Sequence, residues 1–189
     1  MTFIFFAIKM ELWQIWESNF APKFQIISKP NDWAKAIKKS TNKSALSDMK
    51  LLQLDFWNKF KEYIENTSFN FKLRKANPQH WYTIRIWISN AQIDLTINSQ
   101  SNQIACEIYI SNSKELFYSL EKEKENIENN LNMKLEWMPL ENKKASRIKI
   151  SFDADINNFE KWDNYFELLW NTAFKFQKTF LNEINKIRK

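Results

Sequence analysis

The chain has 189 residues, 44% hydrophobic and 16% aromatic, with a formal net charge of +6. That length suits one domain, or one domain with a piece of another, and that apolar content builds a real core and excludes intrinsic disorder. A single Cys excludes an internal disulfide framework and makes the cytoplasm the natural compartment.

The start, residues 2–8, is apolar, but it has no basic leader and no small-residue cleavage site, and Lys9 and Glu11 end the run. No stretch approaches the roughly 18 apolar residues of a membrane span, so no membrane partner is expected. Glycine is absent altogether, against an average usage of about 7%. Lys, Asn, Ile and Phe are plentiful instead, the mark of an AT-rich genome. Backbone turns with positive φ must then fall to other residues. Asn tolerates that region best, and Asn90, Asn102, Asn132 and Asn142 sit where turns or helix ends are expected.

Residues 3–8 and 11–16 read as two short strands, or as one strand with a bend. Pro22, Ser28, Pro30 and Asn31 punctuate a loop, and Asn31 or Asp32 caps a short helix through Lys38. Residues 39–43 read as a linker. Ser47 is the expected N-cap of a helix over 47–65, with Leu52, Phe56, Phe60 and Tyr63 or Ile64 on one face. Residues 66–79 are irregular, with Pro78 blocking helix. Three runs of period-two alternation follow, over 82–89, 92–98 and 103–110, and short polar gaps between them predict an antiparallel meander. Cys106 falls on the apolar phase of the third run, as a small buried hydrophobe. Asn112 caps a charged helix through 131, residues 133–138 and 146–152 add two more strands, and a last helix spans 158–187. Its stripe comprises Phe159, Trp162, Phe166, Leu169, Trp170, Ala173, Phe174, Phe180 and Ile184. That spacing marks a core face rather than a platform for bases. The expected fold is α+β: a five-stranded, mainly antiparallel sheet covered by helices over 47–65, 112–131 and 158–187.

From about Lys50 onward the chain resembles domain-of-unknown-function family 4268. The resemblance rests on Phe56-Trp57 with Phe60, on Asn77-Pro78-Gln79-His80-Trp81-Tyr82, and on Ile108-Tyr109-Ile110. Lys114 with Phe117 and Leu120, Leu135-Glu136-Trp137, Lys143-Lys144-Ala145-Ser146-Arg147-Ile148 and Trp170 continue it in order. These are not catalytic motifs. Relatives carry glycine near the positions of Trp87 or Ser89 and of Asn132. Residues 3–33, with Glu11-Leu12-Trp13-Gln14-Ile15 and Ser28-Lys29-Pro30-Asn31-Asp32-Trp33, are similar to the segment that closes a PD-(D/E)XK nuclease-like domain in longer relatives. The resemblance implies two parts: residues 1–40 as the end of a nuclease-like domain with a linker helix, and 45–189 as the domain of unknown function. The acidic residues of such a nuclease site lie upstream of this segment in relatives and have no counterpart here.

Catalytic chemistry finds little support. His80 is the one histidine, without companions for a metal site or a nucleophile motif beside it. Asp153 and Asp155 end the fifth strand after Lys149, with Asp94 and Glu107 on neighbouring strands, but the spacing fits a Mg²⁺ nuclease poorly. No catalytic residue, metal or cofactor is therefore expected. Charge is more informative. Residues 1–22 carry one base and two acids, residues 23–75 twelve bases and five acids, and residues 76–189 fifteen of each. The positive excess is concentrated in the second segment, as either an electrostatic footprint for phosphates or surface Lys favoured by codon bias. Arg74, Arg85 and Arg147, with Trp87 and Tyr109, fall on the polar phases of the sheet or just before it. Arg with aromatics on a sheet face fits single-stranded nucleic acid, a dry protein interface or plain cross-strand packing. The leading expectation is an accessory module of a bacterial nuclease-like protein, contacting DNA or RNA through Lys72, Arg74, Lys75, His80, Trp81, Arg85, Trp87, Tyr109 and Arg147. The alternative is a protein-interaction or dimerisation module that docks an upstream nuclease-like polypeptide or a second copy.

Overall fold

The computed structural model describes residues 7–13, 21–28, 47–67, 73–84 and 90–187, and the chain divides into two units, Met1–Ser47 and Asp48–Lys189. In the first unit, β1 (Ala7–Trp13) pairs antiparallel with β2 (Ala21–Ser28). Lys9 and Met10 lie inside β1, as the reading of one continuous strand expects and the reading of two strands does not. Pro22, expected in a loop, sits opposite Leu12 in β2. Both strands of a two-stranded sheet are edges, where a missing N–H is tolerated. The expected helix through Lys38 and the linker after it lie outside the described residues.

The second unit runs α1 (Asp48–Asn66), β3 (Trp81–Ile84), β4 (Ala91–Asn98), β5 (Gln103–Ile110), α2 (Lys114–Lys122), α3 (Lys124–Leu131), β6 (Glu136–Met138), β7 (Ser146–Asp153) and α4 (Trp162–Ile187). The strands form one sheet in the order β3-β4-β5-β7-β6, and every neighbouring pair is antiparallel. The fold is α+β, as the alternating runs and amphipathic helices predict.

One face of the sheet is the core. Tyr82, Ile93, Leu95, Ile104, Cys106, Ile108 and Ile148 point there and are buried. α4 packs on β4 and β5, and α1 packs on α4. Aromatic rings fill the contact: Phe56 meets Phe166 at 4.9 Å and Trp162 at 5.1 Å, and Trp57 stacks on Tyr82 at 5.5 Å. Each such side chain contributes about 1.5–3 kcal/mol on burial. Burial also raises the Cys106 thiol well above its ordinary pKa, with the charges of Glu107 and Asp94 adding to the rise.

Four local expectations are corrected. The helix over 112–131 is two helices, broken at Glu123, whose N–H turns back to Leu120. The break separates α2, which packs on β5, β7 and α4, from α3, which packs on α4. The N-cap is Ser113, whose hydroxyl accepts the Leu116 N–H at 3.2 Å, and not Asn112. The strand over 133–138 is confined to 136–138, because the Leu135 N–H is donated to the Glu128 carboxylate. Of the apolar stripe expected on the last helix, Phe159 falls in a 3-10 turn before α4 and is exposed, Phe174 on α4 is exposed, and Phe176 is buried instead. Phe176 lies three residues after Ala173 and four before Phe180, so it continues the inward stripe that Phe174 leaves.

The glycine-free turns are resolved as expected at three places. Asn90, Asn102 and Asn132 have φ of 67°, 49° and 54°. Among the described residues one further positive φ, 51°, belongs to Leu140, and Asn142 lies in the turn that follows without one. A side chain with no local hydrogen bond gains nothing there, so the support comes from elsewhere. The Lys114 ammonium donates to the carbonyls of Pro139, Leu140 and Ala145 and to the Ser146 hydroxyl.

Candidate functional site

Because side chains alternate across a strand, the residues next to the core positions face the other way. The register sets them in rungs. Thr83, Asp94, Glu107 and Lys149 form one rung across β3, β4, β5 and β7. Trp81 and Thr96 form part of the rung on one side of it, and Gln92, Tyr109 and Arg147 the rung on the other. Between them lies a pocket of about 390 Å³, lined by His80, Trp81, Gln92, Asp94, Thr96, Glu107, Tyr109 and Arg147.

Its floor holds two carboxylates, Asp94 at 5% exposure and Glu107 at 2%. Asp94 is well occupied. Its Oδ1 accepts from the Thr83 hydroxyl at 2.6 Å, and Gln92 Nε2 donates to Oδ1 and Oδ2 at 3.1 and 2.9 Å. Glu107 has one such contact among the described residues, Arg147 Nη1 at 3.5 Å. Burial pushes the Glu107 carboxyl above its ordinary range. The Arg147 charge pulls it back, the neighbouring Asp94 raises it further and Lys149 opposes that. The Arg147 guanidinium lies 5.6 Å from the Tyr109 ring centroid, and its buried Nε has no acceptor among the described residues.

The rim is aromatic. Trp81 is 39% exposed and meets the His80 ring edge-on at 4.8 Å. Their backbone is held firmly. The His80 carbonyl accepts the Ile97 N–H at 2.8 Å, Gln79 Nε2 donates to the Trp81 carbonyl, and Trp57 Nε1 on α1 donates to the Gln79 carbonyl. The backbone of His80 is thus tied into the fold, while its side chain is exposed at the pocket.

The structure therefore brings together four expected site residues: His80, Trp81, Tyr109 and Arg147. Arg74 and Lys75 are exposed in the segment before β3 and do not line the pocket, although the Arg74 carbonyl accepts the Tyr82 hydroxyl at 2.6 Å. Lys72, Arg85 and Trp87 lie outside the described residues. Gln92, Thr96, Asp94 and Glu107 join them in the lining, although the sequence presents the two acids only as poor candidates for nuclease ligands. A signal was present, since Glu107 is the one charged residue in the apolar run of β5. Asp153 and Asp155 are exposed, and Asp155 caps a turn by accepting from Asn157. Among the described residues no group of three or more His, Cys, Asp and Glu could hold a metal ion. No helix among them is long and apolar enough to cross a membrane.

A larger cavity of about 770 Å³ lies where the end of α3 meets α4, lined by Asn130, Asn132, Lys175, Lys178 and Glu183 among others. No aromatic ring lines it, and its buried acid, Glu183, is held by Lys186 at 2.8 Å. It offers no stacking surface.

The family described as Domain of unknown function (DUF4268) matches residues 52–184. No curated protein and no solved structure matches.

Proposed function

The chain belongs to the DUF4268 family, and on that footing we propose that it is a non-catalytic accessory module that contacts single-stranded nucleic acid. The observation that carries this reading is the convergence of Trp81, His80, Tyr109 and Arg147 around one pocket. Stacking on an aromatic ring contributes about 1–3 kcal/mol per base and needs an unpaired base. Arg74 and Lys75, exposed just before β3, supply charge for phosphates. The service to a nuclease-like bacterial polypeptide rests on the resemblance of residues 3–33 to the end of such a domain.

The test is a titration of the full chain with labelled single-stranded and duplex oligonucleotides at several salt concentrations. If Arg74, Lys75 and Arg147 each meet one phosphate, log affinity should fall with log salt at a slope of about −2 on single strands. Replacing Arg74 and Lys75 together by Ala should flatten that slope by about 1.4. Absence of salt-dependent binding at micromolar concentration would overturn the reading. The alternative is then an interaction module that docks a nuclease-like polypeptide or a second copy. A mass measurement in solution, alone and with a nuclease-like partner, tests it.

A further inference from the structure

We infer that the sheet pocket seats a single unpaired base and selects guanine through the Glu107 carboxylate. This rests on the single-strand reading above and narrows it to one base and one side chain.

The two acids of the floor differ in what they have left to give. Asp94 is occupied by Thr83 and Gln92. Glu107 lines the same cavity and, among the described residues, is met only by Arg147, at the long limit of a hydrogen bond. An ionised carboxylate accepts through two oxygens with about four lone-pair directions, so Glu107 keeps most of its capacity. Burying an acid on an otherwise apolar strand is costly unless donors meet it.

Guanine meets that need better than the other bases. Its Watson–Crick edge sets N1–H beside the N2 amino group, two adjacent donors that match the two oxygens of a carboxylate. Adenine and cytosine set one amino group beside a ring nitrogen acceptor. Thymine and uracil flank one N–H with two carbonyls. Each of these puts a lone pair against a carboxylate oxygen. Arg147 lines the same cavity, and guanine carries O6 beside its N1–H as an acceptor for a guanidinium next to the carboxylate. Trp81 and Tyr109 offer ring faces or edges at the mouth, and the volume falls in the range of small-ligand sites. A cationic ligand such as an arginine side chain would also suit a carboxylate, but here it would face the Arg147 guanidinium, with Lys149 beside Glu107 on the next strand.

The experiment compares short oligo(dT) and oligo(U) strands carrying one central guanine, adenine, cytosine or hypoxanthine. The guanine strand should bind about tenfold more tightly than the adenine or cytosine strand. Hypoxanthine, which lacks the N2 amino group, should fall between them. In Glu107→Gln the guanine preference should vanish, with thermal melting confirming that the variant is folded. Equal affinity for all central bases would overturn the guanine assignment and leave the single-strand reading standing. No binding by any strand would overturn both. Competition by an arginine-containing peptide that Glu107→Gln abolishes, with no base preference, would overturn the base in favour of a guanidinium ligand. Matching results in the deoxy and ribo series would assign recognition to the base alone, and a guanine preference confined to one series would overturn that.

Discussion

Trp81 and Tyr82 are neighbours on β3 and belong to different worlds. Tyr82 faces the core, where its ring stacks on Trp57 and its hydroxyl donates to the Arg74 carbonyl, and burial pushes its pKa up to about 12. Trp81 faces the pocket, 39% exposed beside the exposed His80. The same contrast runs through the sheet. On the core face aromatic rings meet other rings and aliphatic chains. On the other face they meet charge: Tyr109 lies under Arg147, and Arg147 reaches Glu107. Aromatic content alone does not separate a core from a binding surface; what surrounds each ring does.

Substitutions can break or sharpen this contrast. The largest effect is expected on the covered side. Trp170, 4% exposed and in ring contact with Phe60, should cost about 3–5 kcal/mol on replacement by Ala, read from denaturant unfolding. A cost below about 1 kcal/mol would mean that the α4 stripe is not core.

A smaller loss is expected at the turn after β6. Lys114→Met removes the ammonium that satisfies three carbonyls and holds Leu140 at positive φ. It should cost about 1.5–3 kcal/mol, and amide exchange should rise first over residues 139–146. Unchanged exchange there would show that the loop holds itself.

Next comes Glu128, a buried acid with several donors. Burial alone would push its carboxyl up. Hydrogen bonds from Lys134, the Leu135 N–H and Trp137, with the Lys134 charge, outweigh that and hold it below the ordinary 4.5. A depressed folded-state pKa contributes stability that is present above about pH 4.5 and lost as pH falls through the lower folded value. Glu128→Gln should cost about 1–2 kcal/mol at neutral pH and shrink the acid loss. An acid limb identical to the wild type would assign the loss to other carboxylates.

The smallest stability effect is expected on the pocket side. Trp81→Ala should cost no more than about 1 kcal/mol, as partly exposed positions do, while lowering single-strand affinity by about 1–3 kcal/mol. A stability loss as large as that of Trp170 would place Trp81 functionally in the core and erase the distinction between the faces.

Much of this architecture is a property of neighbours along the chain, which is why the sequence by itself determined it. Period-two alternation marks β4, β5 and β7, the apolar stripe marks α4, and a glycine-free chain leaves Asn90, Asn102 and Asn132 to take the left-handed turns. Each follows from steric and hydrophobic periodicity within a few residues. Tertiary structure decided the rest. Phe176 rather than Phe174 enters the core because α4 lies on β4 and β5 in one rotation. Leu140 takes a positive φ because a lysine 26 residues away in sequence binds its carbonyl. The pocket exists because β7 pairs beside β5, setting Arg147 opposite Tyr109 and within reach of Glu107, 40 residues earlier. Strand alternation places each of these side chains on a face; only the pairing register brings them to the same place.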